Sequence, residues 1–112
     1  MSEITIFHNP ACGTSRKVLA MLREAGHAPR VVEYLKTGWT RPQLEGLLAA
    51  MGARPRDLLR EEAAAPGPEA GDAEILDAML AHPVLVNRPI VVAPGGTALV
   101  RPAEKLQDLL GA

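Results

Sequence analysis

Ile4-Thr5-Ile6-Phe7-His8-Asn9-Pro10-Ala11-Cys12-Gly13-Thr14-Ser15-Arg16 opens with four β-prone residues, halts at the turn signal Asn9-Pro10, and leads into a helical pattern. From about Thr14, the residues Val18, Leu22 and Ala25 recur at helical spacing with Leu19 beside them, and Gly26 follows as the stop. Val31-Val32-Glu33-Tyr34-Leu35 reads as a second strand. Strand, helix and strand in this order make a βαβ unit. Such a unit favours parallel strands joined by a right-handed crossover.

After Lys36-Thr37-Gly38-Trp39, read as a loop, Thr40-Arg41-Pro42-Gln43 carries a capping-box pattern with proline in the first turn. Leu44, Leu47, Leu48 and Met51 form the apolar stripe of that helix, and Gly52 ends it. Arg54-Pro55 opens a short helical piece that runs to Arg60. Glu61 to Gly71 has no periodic apolar face and is expected to be a mobile loop. Asp72 is placed as the N-cap of a helix bearing Ile75, Leu76, Met79 and Leu80, which ends at His82-Pro83. Arg88-Pro89-Ile90-Val91-Val92 leads into a strand, Ala93-Pro94-Gly95-Gly96 turns, and Thr97 to Val100 returns as a hairpin partner. Pro102 starts a last helix with Ala103, Leu106, Leu109 and Leu110 on one face. The expected architecture is α/β, with one domain over 1–112. Its core spans about 1–36 and 83–112, and a helical insert spans about 37–82, after the second strand.

Composition excludes several function classes. A chain of 112 residues with 47% hydrophobic and 22% charged residues suits one globular domain. A net charge of −1 and 3% aromatic residues speak against nucleic-acid binding. No apolar run approaches the roughly 18 residues of a membrane span, and no signal peptide is visible, so a cytoplasmic location and no membrane partner are expected. The single cysteine forbids an internal disulfide and a Cys-rich zinc site. The three histidines are not spaced as metal ligands: His27 reads as a solvated turn residue and His82 as a helix-end residue. No metal is expected.

Cys12 carries the chemistry. It lies after the first strand, at the start of the first helix, in a polar loop rather than on an apolar stripe. Unpaired N–H groups and the helix dipole favour thiolate over thiol there, and the same N–H groups can cradle an oxyanion. Ser15 lies one turn on, where its hydroxyl can donate to the sulfur, and Arg16 adds positive charge. His8 either adjusts the thiolate or is a surface histidine at a strand end. Cys12-Gly13-Thr14-Ser15 is C-x-x-S, whereas thioredoxin-type oxidoreductases use C-x-x-C with a resolving second cysteine. A covalent adduct on Cys12 therefore needs an external thiol.

The chain holds nine arginines and three lysines. The arginine fork suits oxyanions, but the excess by itself is explained first by GC-rich coding, which the high Ala, Gly and Pro content suggests. Arg88-Pro89 stands where thioredoxin-like folds place a cis-proline facing the cysteine, so Pro89 is expected to be cis with Arg88 beside Cys12. Arg101 ends the last strand, within reach of the same pocket, and Arg60 could approach from the insert. Taken singly, each arginine reads first as a surface charge near a carboxylate such as Glu61 or Glu104.

The run from His8 to Arg16 closely resembles the start of the glutaredoxin-coupled arsenate reductases. The run His82-Pro83-Val84-Leu85-Val86-Asn87-Arg88-Pro89-Ile90-Val91-Val92 resembles that family's second signature. Leu58-Leu59-Arg60 and Arg101-Pro102-Ala103-Glu104 match its other two arginine-bearing segments, in order along nearly the whole chain. The stretch between Arg60 and His82 is shorter than is typical of the family. The resemblance implies a thioredoxin-like mixed sheet flanked by helices, with Cys12 as nucleophile and Arg60, Arg88 and Arg101 as the oxyanion site. It also implies that His8 and Ser15 help hold the thiolate. The implied activity is reduction of arsenate to arsenite through a Cys12 thiol-arsenate intermediate. Glutathione is then a co-substrate, glutaredoxin a partner, no cofactor is bound, and a monomer is expected. The rival readings are a glutathione-dependent thiol oxidoreductase of another substrate and a regulator of the Spx type that binds RNA polymerase. Such regulators commonly carry C-x-x-C.

Overall fold

The computed structural model describes residues 3–62 and 65–110, and within them the chain divides into two compact units. The first unit comprises residues up to Tyr34 together with those from Arg88 onward, and the second runs from Leu35 to Asn87.

In the first unit, β1 (Thr5–Phe7) leads to α1 (Gly13–Glu24) and β2 (Arg30–Val32), and the chain returns as β3 (Ile90–Ala93) and β4 (Gly96–Leu99). The four strands are ordered β2-β1-β3-β4. β1 runs parallel to β2, pairing Ile6 with Val31, and antiparallel to β3, pairing Ile6 with Val91. β3 and β4 form an antiparallel hairpin. This mixed sheet is thioredoxin-like. The parallel pair follows from the helical crossover, whereas β3 and β4 need only a tight turn.

One face of the sheet carries the core. Ile4 and Ile6 alternate onto it from the β1 segment, and Val91 and Ala93 from β3. Val18, Leu19 and Leu22 of α1 pack against them, as do Ala103, Leu106 and Leu109 at the end of the chain. The last helix begins as a 3₁₀ turn, Ala103–Lys105, and becomes α6 (Leu106–Leu110). The hairpin turn is tighter than its sequence suggests: Ala93 and Gly96 pair, leaving Pro94 and Gly95 as the connection. A Cβ on Gly95 would stand 2.5 Å from the Leu109 carbonyl oxygen, so only glycine lets the hairpin tip approach the end of α6.

The second strand is shorter than expected. Tyr34 and Leu35 are not extended but begin a single turn, α2 (Tyr34–Thr37), which also takes up part of the expected loop. β-Propensity in Tyr34 is overridden there because the strand has no further partner on β1, whose pairing stops at Phe7↔Val32.

The second unit holds α3 (Arg41–Met51), α4 (Pro55–Leu58) and α5 (Asp72–Ala81). The α3 start is a true capping box, with the Gln43 N–H donating to Thr40 Oγ1 at 3.2 Å and the Thr40 N–H donating to Gln43 Oε1 at 3.3 Å. Gly52 ends α3 at φ 63°, the left-handed cap that glycine adopts without strain. Leu44, Leu47 and Leu48 are buried and Met51 half-buried. The N-cap of α5 is Gly71, and Asp72 is its first helical residue, where its charge still suits the helix N-terminus. Ile75, Leu76 and Met79 of α5 are buried. α4 stops at Leu58, so Arg60 lies outside it. Leu59 pairs with Val86 in an antiparallel bridge beside the 3₁₀ turn Pro83–Leu85. Residues 61–62 and 65–71 form neither helix nor strand. Arg56 Nη2 donates to the Gly67 and Ala70 carbonyls at 2.9 and 3.2 Å, tying this connection to α4.

Candidate active site

Cys12 is the N-cap residue of α1, in extended backbone, and its side chain is buried. The loop that presents it is fixed by Asn9. The Asn9 carbonyl accepts the Cys12 N–H at 3.0 Å, its side-chain Oδ1 accepts the Ala11 N–H at 2.9 Å, and its N–H donates to Ser15 Oγ at 3.1 Å. Asn9 is itself buried. In the sequence it reads only as a turn signal before proline. Its capacity to bond its own backbone two residues on, in an Asx turn, is what could have marked it as the residue that shapes the loop.

Ser15 is fully buried and shares a 2.6 Å hydrogen bond with Nδ1 of His8, which is also buried. His8 is therefore not a surface residue at a strand end. Burial lowers its pKa from 6.5, Glu33 opposes this, and Arg23 and Arg16 add to it. That direction favours the neutral imidazole over the imidazolium. The expected contact of the Ser15 hydroxyl with the sulfur is replaced by contacts with His8 and the Asn9 amide. The Ser15 backbone amide acts on the sulfur instead. Arg16 is exposed and donates from Nη1 to the Pro10 carbonyl at 2.9 Å, buttressing the loop from outside.

Two arginines flank the thiol. Arg101 Nη1 lies 3.6 Å from Cys12 Sγ and 3.0 Å from the Arg88 carbonyl, so the end of β4 and the entrance of β3 are tied together beside the sulfur. Both Arg88-Pro89 and Arg101-Pro102 are cis, and Pro89 is buried. The electrostatics of the thiol are a contest. Burial pushes its pKa up, while the Ser15 amide, the Arg88 and Arg101 guanidinium groups and the Arg88 charge pull it down. The charges and donors win, and the pKa falls from 9.0 to about 7. Glu104, the carboxylate nearest Arg101 in sequence, pairs instead with Lys17 at 3.2 Å. That pair leaves the Arg101 charge on the sulfur.

Arg60 belongs to the second unit. Its backbone N–H donates to the Leu85 carbonyl at 2.7 Å, and its Nε lies 3.1 Å from Glu62 Oε2. Among the described residues no cluster of His, Cys, Asp and Glu could hold a metal ion, and no helix is long and apolar enough to cross a membrane. A low-pKa thiol at a helix N-terminus with two guanidinium groups beside it is suited to attack an electrophile that carries negative charge.

The chain is similar to known proteins along nearly its whole length. An arsenate reductase of Rhizobium meliloti (strain 1021) is 53% identical, over 96% of this chain and 81% of that protein. An arsenate reductase of Escherichia coli (strain K12) is 50% identical, over 98% and 82%. Among solved structures, an arsenate reductase from Vibrio cholerae superposes with a TM-score of 0.88 at 33% identity, covering 96% of this chain and 97% of that one. The ArsC family model matches residues 7–109, from the last residue of β1 into α6. A match of that length takes in the cysteine loop, both cis-prolines and every arginine considered above, and the chain belongs to the ArsC family.

Proposed function

We propose that this protein reduces arsenate to arsenite, with Cys12 as the nucleophile and glutathione and glutaredoxin as the external thiols. The observation that carries the reading is the Cys12 sulfur itself, lowered to about 7 with Arg101 Nη1 at 3.6 Å, in a chain about half identical to arsenate reductases.

Arsenate is a tetrahedral oxyanion. In this reading Arg88 and Arg101 bind its oxygens beside the sulfur, and Arg60 supplies a third guanidinium. The Cys12 thiolate attacks arsenic, and a hydroxyl leaves as water, giving a thiol-arsenate adduct. The arginines hold the charge that builds on the oxygens, and the N–H groups at the start of α1 add to that hold. Reducing arsenic(V) to arsenic(III) takes two electrons, which two thiols supply by becoming a disulfide. Cys12 is the one cysteine of the sequence and ends the cycle as a thiol, so both thiols that become the disulfide come from outside. Glutathione displaces a second hydroxyl as water from the adduct. A glutaredoxin thiol then attacks the glutathione sulfur and leaves the electron pair on arsenic as a glutaredoxin–glutathione disulfide forms. Water releases arsenite while Cys12 returns to the thiol. His8, Asn9 and Ser15 keep the loop in shape through these steps. The same site chemistry requires no bound cofactor, and the protein acts as a monomer in the cytoplasm.

The test is arsenate-dependent NADPH oxidation, coupled through glutathione reductase, with glutathione and glutaredoxin present. Turnover is expected only when both thiols are present, and Cys12→Ser is expected to abolish it. Wild-type turnover in Cys12→Ser, or turnover independent of glutathione, would overturn the mechanism.

A further inference from the structure

Arg60 has a partner already. Its Nε lies 3.1 Å from Glu62 Oε2, and both side chains are one-third exposed. The backbone on which Arg60 sits is firmly placed, since the bridge between Leu59 and Val86 and the Arg60 N–H bond to Leu85 fix the residue in the second unit. Glu62 follows two residues later in chain that is neither helix nor strand, and the Arg56 contacts to Gly67 and Ala70 hold the connection beyond it. A chain leaving an extended bridge places side chains two apart on the same side, which explains why Glu62 meets Arg60.

Glu62 takes the Arg60 Nε through one oxygen, and an arsenate that engages the guanidinium along the edge carrying Nε competes with it for that donor. We propose that Glu62 is a built-in competitor for Arg60, occupying the guanidinium until an oxyanion displaces it. The inference rests on the reading that Arg60 binds the substrate. Glu62 sets the affinity of the site for tetrahedral oxyanions and thereby disfavours weakly bound ones. An exposed ion pair is weak, so displacement is cheap and the effect on affinity is modest.

The experiment measures arsenate affinity through protection of Cys12 from alkylation by iodoacetamide, in the full chain and without any reductant. Inorganic phosphate serves as a second, non-reducible probe. Glu62→Gln is expected to tighten arsenate and phosphate binding about two- to five-fold. Arg60→Ala is expected to weaken it, and Arg60→Ala/Glu62→Gln to match Arg60→Ala alone. Glu61→Gln, which removes an equal charge from the neighbouring exposed residue, is expected to change affinity less. Unchanged or weaker binding in Glu62→Gln overturns the proposal while Arg60→Ala still reports on the reading beneath it. If Arg60→Ala binds like wild type, the reading of Arg60 fails. If Glu62→Gln tightens binding equally without Arg60, or Glu61→Gln tightens it as much, the effect is general repulsion and the proposal fails. If no oxyanion protects Cys12 in any variant, both fail together.

Discussion

The Cys12 loop and the Arg60 segment are held in place by contacts of different strength. In the loop, His8, Asn9 and Ser15 are buried and bond to one another, so none can drift without leaving a polar group unsatisfied. Each such loss costs about 1–3 kcal/mol. Around Arg60 the backbone is also well fixed, yet the guanidinium rests on one carboxylate that is one-third exposed, a contact worth about 0–1 kcal/mol. The nucleophile is thus preorganised, while one of the candidate binding groups can exchange its partner at small cost. Preorganisation matters most where charge develops and least where a ligand merely has to be met.

The comparison breaks most severely at Arg101. Arg101→Ala is expected to cut kcat/KM for arsenate by about 10²–10³-fold. It is also expected to raise the pH midpoint of Cys12 alkylation above about 7, because a donor that favours the thiolate is gone while burial still opposes it. In the wild type the alkylation rate should climb with pH through about 7 and level off above, instead of near the ordinary 9.0. A midpoint unmoved in Arg101→Ala would separate Arg101 from the sulfur.

Ser15→Ala tests the buried network itself. Urea unfolding is expected to show a loss of about 1–3 kcal/mol, since His8 and the Asn9 amide lose their shared partner. The thiol midpoint should move less than in Arg101→Ala, because the Ser15 amide that acts on the sulfur remains. A larger rise than in Arg101→Ala would mean that the hydroxyl serves the sulfur directly. In the second unit, Thr40→Ala should cost about 1 kcal/mol by removing the α3 capping box, with the alkylation midpoint unchanged. A shifted midpoint there would show that the two regions are not separable. Glu62→Gln is the smallest expected effect and the finest probe of the difference between them.

Much of this was legible in sequence because local signals agreed with the tertiary outcome. The helix after Cys12, the capping box at Thr40, the Gly52 stop and the β3–β4 hairpin all have short-range causes. The departures share a cause as well. Tyr34 left the strand when β1 had no more residues to pair, Leu59 left the helix to bridge Val86, and Asp72 moved inside α5 when Gly71 took the cap. Each depends on a partner that is distant in sequence or on a competition between adjacent residues, and a local pattern contains neither.

From the sequence alone came the single cysteine, its place before a helix, the lack of a resolving partner and the arginines available to it. These are matters of residue identity and order, and composition and spacing express them directly. Only the folded chain decided that His8 is buried against Ser15, that Asn9 shapes the loop, and that Arg101 reaches the sulfur while Lys17 holds Glu104. It also decided that Arg60 meets Glu62. Such pairings depend on burial and on distances of a few ångströms. Those quantities exist only once the sheet has brought the ends of its strands together and water has been excluded from between them.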